Sequence, residues 1–373
     1  MTRLRDLDLA VGSLPTGELN AITDVAGVQV GHATIVRGEG PLRVGEGPVR
    51  TGVTVVETRP GSPREEPVFA GAATLNGNGE LTGLEWVRES GLLSGPVALT
   101  NTHSVGVVRD TLALDEANRV GRDMLWVMPV VGETFDGVLN DVNGGHVTAE
   151  HVRAARAAAA SGPVPEGNVG GGTGMICHEF KGGIGTSSRL VEGPDGPWTV
   201  GVLVQANYGA RDQLRVDGLP VGRHIPTSEI PSPFAAFAPA GPPRGAGSII
   251  LVTATDAPLL PDQCRRLALR SFVGLSRAGG YGQDGSGDIA IAFSTGNRPP
   301  AEIYDPQLVP WTFEATSVPH QRITQLLLAT VEAAEEAILN ALLQAETMTG
   351  RDGVTAHALT AERLLEALAA ARR

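Results

Sequence analysis

The chain has 373 residues, of which 42% are hydrophobic and 19% charged, a globular composition that can bury a large core. Its formal net charge of −12 argues against nucleic acid or an anionic membrane as partner. The start of the chain lacks the apolar core of a signal peptide and no apolar run is long enough to span a membrane, so we expect a cytoplasmic protein. The two cysteines, Cys177 and Cys264, show no metal-ligand spacing, so we expect buried thiols.

Short runs of β-branched residues separated by turn residues dominate the first 145 residues and predict strands. These runs are 28–30, 52–56, 97–100 and 126–131. Residues 71–80 are rich in glycine and asparagine, which predicts a tight loop. Residues 148–160 predict a helix, because Thr148 can cap it and alanine, arginine and glutamate favour helical backbone.

Glycine and then proline dominate the middle of the chain. A glycine-rich loop at 162–174 lacks the Gly-Lys-Ser/Thr ending of a phosphate loop, so we expect no nucleotide there. After a predicted strand at 200–205, seven prolines between Arg211 and Arg244 favour an exposed connection. Ser248 to Thr255 then reads as a strand rich in β-branched residues.

The last third of the chain mixes helices with one further strand. The predicted helices are 262–278, 318–345 and 360–370, and the predicted strand is 289–293. Because strands and helices do not alternate regularly, the pattern favours a layered α+β fold over a doubly wound sheet. No His-Glu-x-x-His or Gly-x-Ser-x-Gly motif occurs, so neither a zinc site nor an α/β-hydrolase elbow is predicted.

The Gly247–Ser248 bond is the most informative local feature, because a proline-rich connector meets a buried-looking strand there. A serine hydroxyl can attack the preceding carbonyl where the backbone is strained, and Gly247 permits such a conformation. Cleavage would expose an α-amine on Ser248, whose reference pKa of about 7.7–8.0 suits a general base for the serine's own hydroxyl.

Four other polar residues could complete such a site. Ser286 and Asp288, which alternate with glycines, could orient the new amine and relay its proton. Asn207 ends a strand and could donate to a developing oxyanion. Glu133 follows another strand and could hold the ammonium group of a substrate. Taken singly, each of these residues is more often a plain turn former or a solvated side chain.

Longer motifs occur together and in a fixed order along the chain. They are 20–32 (NAITDVAGVQVGH), 75–80 (LNGNGE), 99–106 (LTNTHSVG), 132–134 (GET), 205–207 (QAN), 247–248 (GS) and 286–288 (SGD). With these motifs the sequence resembles the L-aminopeptidase/D-amidase-esterase family, which includes the β-peptidyl aminopeptidases. The likeness extends over most of the chain.

The resemblance implies a four-layer αββα sandwich, similar to that of N-terminal-nucleophile hydrolases but differently connected. It further implies one domain over residues 1–373 that cleaves itself into an α chain, 1–247, and a β chain, 248–373. Ser248 would be the nucleophile, Asn207 the oxyanion donor, and Ser286 and Asp288 the support for the nucleophile and its amine. Members release N-terminal residues from short peptides, amino-acid amides or esters, use no cofactor or metal, and assemble as tetramers of αβ pairs.

Two positions depart from parts of the family. Asp288 is glutamate in some members that cleave β-peptides, which favours the α-aminopeptidase branch for this chain. Phe135 stands where a tyrosine hydroxyl assists the tetrahedral intermediate in at least one member, so this chain would lack that donor. Loss of one oxyanion donor costs on the order of 100-fold in rate.

Two other functions remain open from the sequence. A self-processing acyltransferase of the ornithine-acetyltransferase kind would transfer the acyl group to an amine, but such enzymes use threonine where this chain has Ser248. A non-catalytic binding protein could keep the fold and remain uncleaved. A search for two fragments, the second beginning Ser-Ile-Ile-Leu-Val, separates this last alternative from the hydrolase.

Overall fold

The computed structural model describes residues 2–121, 125–194, 196–237, 245–301 and 306–373 of the chain. Within these ranges the helices are α1 (Leu84–Ser90), α2 (Val105–Val120), α3 (Ala149–Ala157), α4 (Pro261–Arg277), α5 (Thr324–Leu343) and α6 (Ala361–Ala371). The strands are β1 (Gln29–Arg37), β2 (Val49–Glu57), β3 (Val68–Gly77), β4 (Leu92–Leu93), β5 (Val97–Asn101), β6 (Val130–Thr134), β7 (Ile176–Cys177), β8 (Phe180–Lys181), β9 (Gly183–Val191), β10 (Trp198–Gly209), β11 (Gly245–Thr255), β12 (Gly287–Ser294), β13 (Met348–Thr349) and β14 (Thr355–Ala356).

Most of the strands form two sheets. The smaller sheet has the strand order β1-β2-β5-β6, and the larger has the order β4-β3-β12-β11-β10-β9. Neighbouring strands run antiparallel, except that β5 is parallel to β6 and β11 is parallel to β12. Strand β11, which contains the Gly247–Ser248 bond, therefore lies inside the larger sheet, between β10 and β12.

The side chains of β11 show how the layers form. Because side chains alternate along a strand, Ile250 points to the cluster shared with the smaller sheet, whereas Ile249 and Leu251 point to helices α4 and α5. A third cluster, which includes Val55 and Val152, joins the smaller sheet to α2 and α3. The order is helices, sheet, sheet, helices, which confirms the predicted αββα sandwich and the α+β class.

Most predicted elements are confirmed, with shifted ends. The helices expected at 148–160, 262–278 and 360–370 are α3, α4 and α6. The strands expected at 28–30, 52–56, 97–100, 200–205, 248–255 and 289–293 lie in β1, β2, β5, β10, β11 and β12. The run at 126–131 overlaps a strand only at its end, because β6 begins at Val130.

The loop predicted at 71–80 is wrong, because most of this segment belongs to strand β3. A Cβ on Gly71 would lie 2.4 Å from the backbone nitrogen of Arg265, so this glycine lets helix α4 pack closely on the sheet. The glycine therefore marks a close contact between layers and no turn. The chain leaves the strand only at Asn78.

Helices α1 and α2, both in the first part of the chain, are missing from the sequence prediction. Helix α5, near the end of the chain, is shorter than expected. Helix α2 contains several valines, which favour strands, and this composition hid its helical structure. Helix α5 begins at Thr324 and not at 318. Pro319 disfavours a helical conformation at residue 318, and residues 320–323 form a turn before the helix.

The proline-rich segment is less exposed than predicted. Its first half contributes Leu214, Val216, Val221 and Ile225 to the core between the larger sheet and the helices. Its last residues, 238–244, lie outside the described residues. Both cysteines are buried free thiols, as predicted. Among the described helices, none has both the length and the apolar character needed to cross a bilayer.

Candidate active site

A cleft of about 400 Å³ opens at one end of the interface between the sheets. A volume of this size suits a small ligand or a short peptide. Its walls are made by residues from both sheets and from the proline-rich segment. The lining residues are Asn78, Gly79, Glu80, Thr102, Val105, Glu133, Phe135, Val138, Ile176, Asn207, Phe234, Gly247, Ser248 and Gly285.

Ser248 lies at this cleft near the start of β11, on the same face of the strand as Ile250. Its side-chain oxygen accepts a hydrogen bond from the backbone N–H of Gly287, at 3.0 Å. Only 7% of the residue is exposed. The hydroxyl therefore has a fixed position at the wall of the cleft, where it can meet a bound carbonyl group.

Gly247 is required by the geometry of the bond before Ser248. Its φ is +153°, and a Cβ there would lie 1.9 Å from the backbone oxygen of Asn207. Any side chain at this position would force β10 and β11 apart. The glycine thus allows the backbone on the carbonyl side of the bond to pack directly against β10.

Ser286 and Asp288 lie beside Ser248 at the start of the neighbouring strand β12. In the parallel pairing of these strands, Asp288 stands opposite Ile249, and the Ser286 hydroxyl donates to Asp288 Oδ1 at 2.7 Å. Both residues are buried. Burial raises the pKa of the Asp288 carboxyl, and the hydrogen bond from Ser286 opposes that shift. The pair can orient and stabilise a positive charge placed at residue 248.

Asn207 stands directly opposite Ser248 in the antiparallel pair formed by β10 and β11. Its Oδ1 accepts a hydrogen bond from the Ile176 N–H at 2.8 Å, and its Nδ2 donates to the Phe135 carbonyl at 3.0 Å. These two bonds fix the plane of the amide. One further N–H of Nδ2 is thereby available to donate to a ligand atom in the cleft.

Glu133 supplies a carboxylate to the same cleft, from the end of β6. It accepts hydrogen bonds from the backbone N–H of Glu80, at 2.9 Å, and from the Thr102 hydroxyl. Burial raises the pKa of Glu133, and both hydrogen bonds oppose that shift. Among the described lining residues the charged side chains are Glu80 and Glu133, both acidic, so the cleft suits a cationic group.

The other side of the cleft is apolar. Phe135, which the sequence singled out, is 44% exposed and lies there with Val138, Ile176 and Phe234. A Cβ on Gly137 would lie 2.4 Å from the Phe135 ring, so this glycine makes room for the ring. The cleft thus combines an acidic end with an apolar wall, and Ser248 and Asn207 line it as well.

The structure brings all seven sequence-predicted residues together. Five of them line the cleft, namely Ser248, Gly247, Asn207, Glu133 and Phe135. The other two, Ser286 and Asp288, are the neighbours in sequence of Gly287, whose N–H donates to the Ser248 side chain. Sequence reasoning missed the Gly287 N–H, the orienting N–H of Ile176, and Phe234. The first two are backbone donors, which no side-chain pattern reveals.

The described residues contain no group of three or more histidine, cysteine, aspartate or glutamate side chains that could hold a metal ion. The cleft is lined by hydroxyl, amide and carboxylate side chains, among them those of Ser248, Asn207 and Glu133. A serine hydroxyl beside an amide donor is the arrangement required for acyl transfer through an oxyanion.

Comparison with known proteins gives consistent matches over nearly the whole chain. The model of Peptidase family S58 matches residues 20–356. The β-peptidyl aminopeptidase of Sphingosinicella microcystinivorans is 48% identical over 95% of this chain and 88% of its own length. The β-aminopeptidase of a Burkholderia species superposes with a TM-score of 0.91, at 51% identity over 99% of both chains. The L-aminopeptidase D-Ala-esterase/amidase of Ochrobactrum anthropi, described as a variant of the Ntn hydrolase fold, gives 0.88, at 42% identity over 100% of this chain and 99% of that one.

Proposed function

The chain belongs to peptidase family S58 and is an aminopeptidase-type hydrolase, and we propose that it cleaves itself before Ser248 to generate its own nucleophile. This assignment makes the chain a hydrolase in place of the acyltransferase and the non-catalytic binding protein that the sequence left open. The observation that carries the proposal is the position of Ser248, opposite Asn207 and beside Asp288 at the wall of the cleft.

Self-cleavage begins in this proposal with attack of the Ser248 hydroxyl on the carbonyl of Gly247. The C–N bond between Gly247 and Ser248 breaks as the bond to Ser248 Oγ forms, and the hydroxyl proton passes to the nitrogen, which becomes the free amine of Ser248. Water then hydrolyses the ester, which leaves a carboxylate on Gly247 and returns the Ser248 hydroxyl. Because β11 lies between β10 and β12, fragments 1–247 and 248–373 would stay associated through the larger sheet. Cleavage would therefore open the backbone at the cleft without separating the two chains.

Substrate hydrolysis then proceeds through an acyl-enzyme. The Ser248 amine takes the proton from the Ser248 hydroxyl, which attacks the substrate carbonyl. Asn207 donates to the oxyanion, and Ser286 with Asp288 orients the amine. The bond from the substrate carbonyl carbon to the leaving amine or alcohol breaks, and that group departs with the proton held by the Ser248 amine. Water then attacks the ester of the acyl-enzyme, gives a proton to Ser248 Oγ through the same amine, and releases the acyl group as a carboxylic acid.

The charged and apolar residues of the cleft also indicate which substrates it would bind. Glu133 and Glu80 would attract the free ammonium group of a short peptide, an amino-acid amide or an ester, which accounts for the release of N-terminal residues. The apolar wall of Phe135, Val138, Ile176 and Phe234 would receive an apolar side chain. The proposal needs no cofactor, and we propose a tetramer of αβ pairs in the cytoplasm as the working form.

Intact mass and hydrolysis of aminoacyl p-nitroanilides with L, D and β residues test the proposal together. We expect two fragments, the second beginning at Ser248, and turnover of at least one substrate class. Ser248→Ala should remain a single chain without activity, whereas Ser187→Ala, which changes a buried serine bonded to Ala333, should be processed normally. Normal processing of Ser248→Ala would exclude Ser248 as the nucleophile.

A further inference from the structure

Lys181 is the single lysine of the chain, and its ammonium group is fully buried. It donates three hydrogen bonds, all to backbone carbonyls: to Gly172 at 3.2 Å, to Met175 at 2.9 Å and to Gly182 at 2.8 Å. Three acceptors match the three N–H groups of an ammonium. The side chain thus connects the glycine-rich loop to the strand that follows it.

Burial of the Lys181 ammonium costs folding free energy. A buried cation without an acidic partner is expensive, and the three hydrogen bonds that this ammonium donates go to neutral carbonyls. Burial lowers the pKa of Lys181 to about 7, and Nζ has three N–H donors when charged and two when neutral. A methionine would fill similar space without a buried polar group, which makes Lys181→Met a test of what Nζ contributes.

The carbonyls that bind Lys181 flank the hairpin of β7 and β8. His178 and Glu179 form its turn with positive φ angles of 48° and 62°. The Gly182 N–H donates to the Met175 carbonyl at 2.9 Å, which closes the base of the hairpin beside the ammonium. Lys181 therefore fixes the position at which the chain enters β7.

The first residue of β7 is Ile176, whose N–H donates to Asn207 Oδ1. Met175, one of the three carbonyl partners of Lys181, is the residue directly before it. The peptide unit that carries the Ile176 N–H also carries the Met175 carbonyl. Lys181 thus binds one end of a peptide group whose other end orients the Asn207 amide.

The far end of the hairpin is held separately. Arg211 lies with its guanidinium 3.6 Å from the centre of the Phe180 ring and donates to the carbonyls of His178 and Glu179. These contacts fix the turn, but they do not touch the peptide group between Met175 and Ile176. Two groups bind the Met175 carbonyl of that peptide, the Gly182 N–H and Lys181 Nζ, and Lys181 is the side chain of the two.

We propose that Lys181 is a positioning residue, whose Nζ holds the Met175–Ile176 peptide group so that its N–H orients the oxyanion-donating amide of Asn207. This inference rests on the proposed function, because it gives Asn207 the role of oxyanion donor. It also gives a function to the glycine-rich loop, whose Gly172 carbonyl is one of the three ligands of the ammonium.

The first test measures the Asn207 amide directly and needs no activity. Side-chain amide signals of ¹⁵N-labelled Ser248→Ala protein are compared with and without Lys181→Met, and the Asn207 signal is assigned by its loss in Asn207→Ala. We expect the Asn207 pair to shift or broaden. The buried amide of Asn340, bonded to Leu4 and Thr186, is the matched control and should not move. An unchanged Asn207 signal would overturn the proposal.

The second test is a double-mutant cycle on kcat per processed chain. Lys181→Met should lower kcat by about 10-fold to 100-fold with little change in KM, as expected for a displaced catalytic group. In the Asn207→Ala background the same change should cost less than about 3-fold, since the oriented group is gone. Ser187→Ala should leave kcat unchanged in both backgrounds. Equal losses in the two backgrounds would show a merely structural role.

Lys181→Gln, which keeps an N–H donor, replaces Lys181→Met if the latter does not fold. If neither variant folds, the ammonium is a requirement for folding and the positioning role is refuted. Failure of the wild-type chain to hydrolyse any substrate would contradict the proposed function alone, because the amide signals still report whether Lys181 orients Asn207 through the Met175–Ile176 peptide group.

Discussion

Ser248 and Asn207 stand opposite each other in the antiparallel pair of β10 and β11, and the pairing shifts in register directly after them. The shift lies between Asn207 and Gly209, at the segment where β11 begins. Regular pairing of β10 with β11 therefore fixes Asn207 and Ser248 in position. Beyond this pair the register is irregular, and there the Gly247–Ser248 bond lies at the cleft. This arrangement puts the proposed nucleophile and the proposed oxyanion donor on one rigid support.

Gly247→Ala should block self-cleavage. The added Cβ would lie 1.9 Å from the Asn207 carbonyl oxygen, so the backbone on the carbonyl side of the bond must shift. We expect processing, followed by intact mass, to slow at least about 100-fold. Gly218→Ala is the control, since Gly218 also has a positive φ but has open space around its Cβ position. It should cost about 1 kcal/mol of stability and leave processing intact; equal processing of both variants would contradict the prediction.

Asp288→Asn should move the acid limb of the kcat/KM profile to lower pH. A carboxylate beside the Ser248 amine favours its protonated form, so removal of that charge lowers the pKa of the amine. We expect a shift of about one pH unit, together with a lower kcat. Asp284→Asn removes an exposed carboxylate from the same loop and should leave the limb unchanged. A limb that stays in place in Asp288→Asn would argue against contact between the carboxylate and the amine.

Phe234→Ala should weaken selection for apolar side chains. Phe234 and Phe237 lie in the same short turn and pack against the same small cluster, but only Phe234 is among the residues that line the cleft. We expect KM for leucyl or phenylalanyl substrates to rise by about 10-fold, with little change for glycyl substrates. Phe237→Ala, the matched control, should not alter this ratio. A similar change in both variants would indicate a general loss of packing.

Stability should rise with pH above neutrality because of Lys181. Burial lowers the pKa of this group from 10.5 to about 7, so between these values the unfolded chain holds a proton that the folded chain has released. Raising the pH over this range therefore favours the folded state, with a slope of up to about 1.4 kcal/mol per pH unit. The slope should be smaller in Lys181→Met.

Urea denaturation of Ser248→Ala protein measures this slope without the new amine of Ser248. The series should stay below about pH 9, where unfolded cysteines begin to ionise and reverse the trend, since burial raises the pKa of Cys177 to about 12. The same slope with and without Lys181 would show that other groups cause it.

Sequence reasoning succeeded where a local pattern carries the chemistry. The sequence alone reveals the β-branched run that begins at Ser248 and the motifs around Asn207, Glu133 and Asp288. The family resemblance implies the layered fold and the roles of these residues. The contact between these residues depends on strand register, since Asn207 reaches Ser248 only through the pairing of β10 and β11.

The features that sequence reasoning missed are those that depend on backbone groups and on distant packing. The N–H groups of Gly287 and Ile176 have no side-chain signature, and Phe234 enters the cleft from a segment predicted to be an exposed connection. Gly71 lies in the segment predicted to be a loop. In the sequence, a glycine that lets a helix pack closely on a strand cannot be distinguished from a glycine in a loop.

Amine labelling of the native protein decides whether Ser248 acts through its own new α-amine. Lys181 is buried, so an acylating reagent near pH 7 should react mainly with α-amines, and the fragment that begins at Ser248 carries its α-amine on that residue. We expect one label on the fragment that begins at Ser248, a loss of activity proportional to that label, and protection by substrate. Full labelling of Ser248 without loss of activity, or no fragment that begins at Ser248, would contradict it.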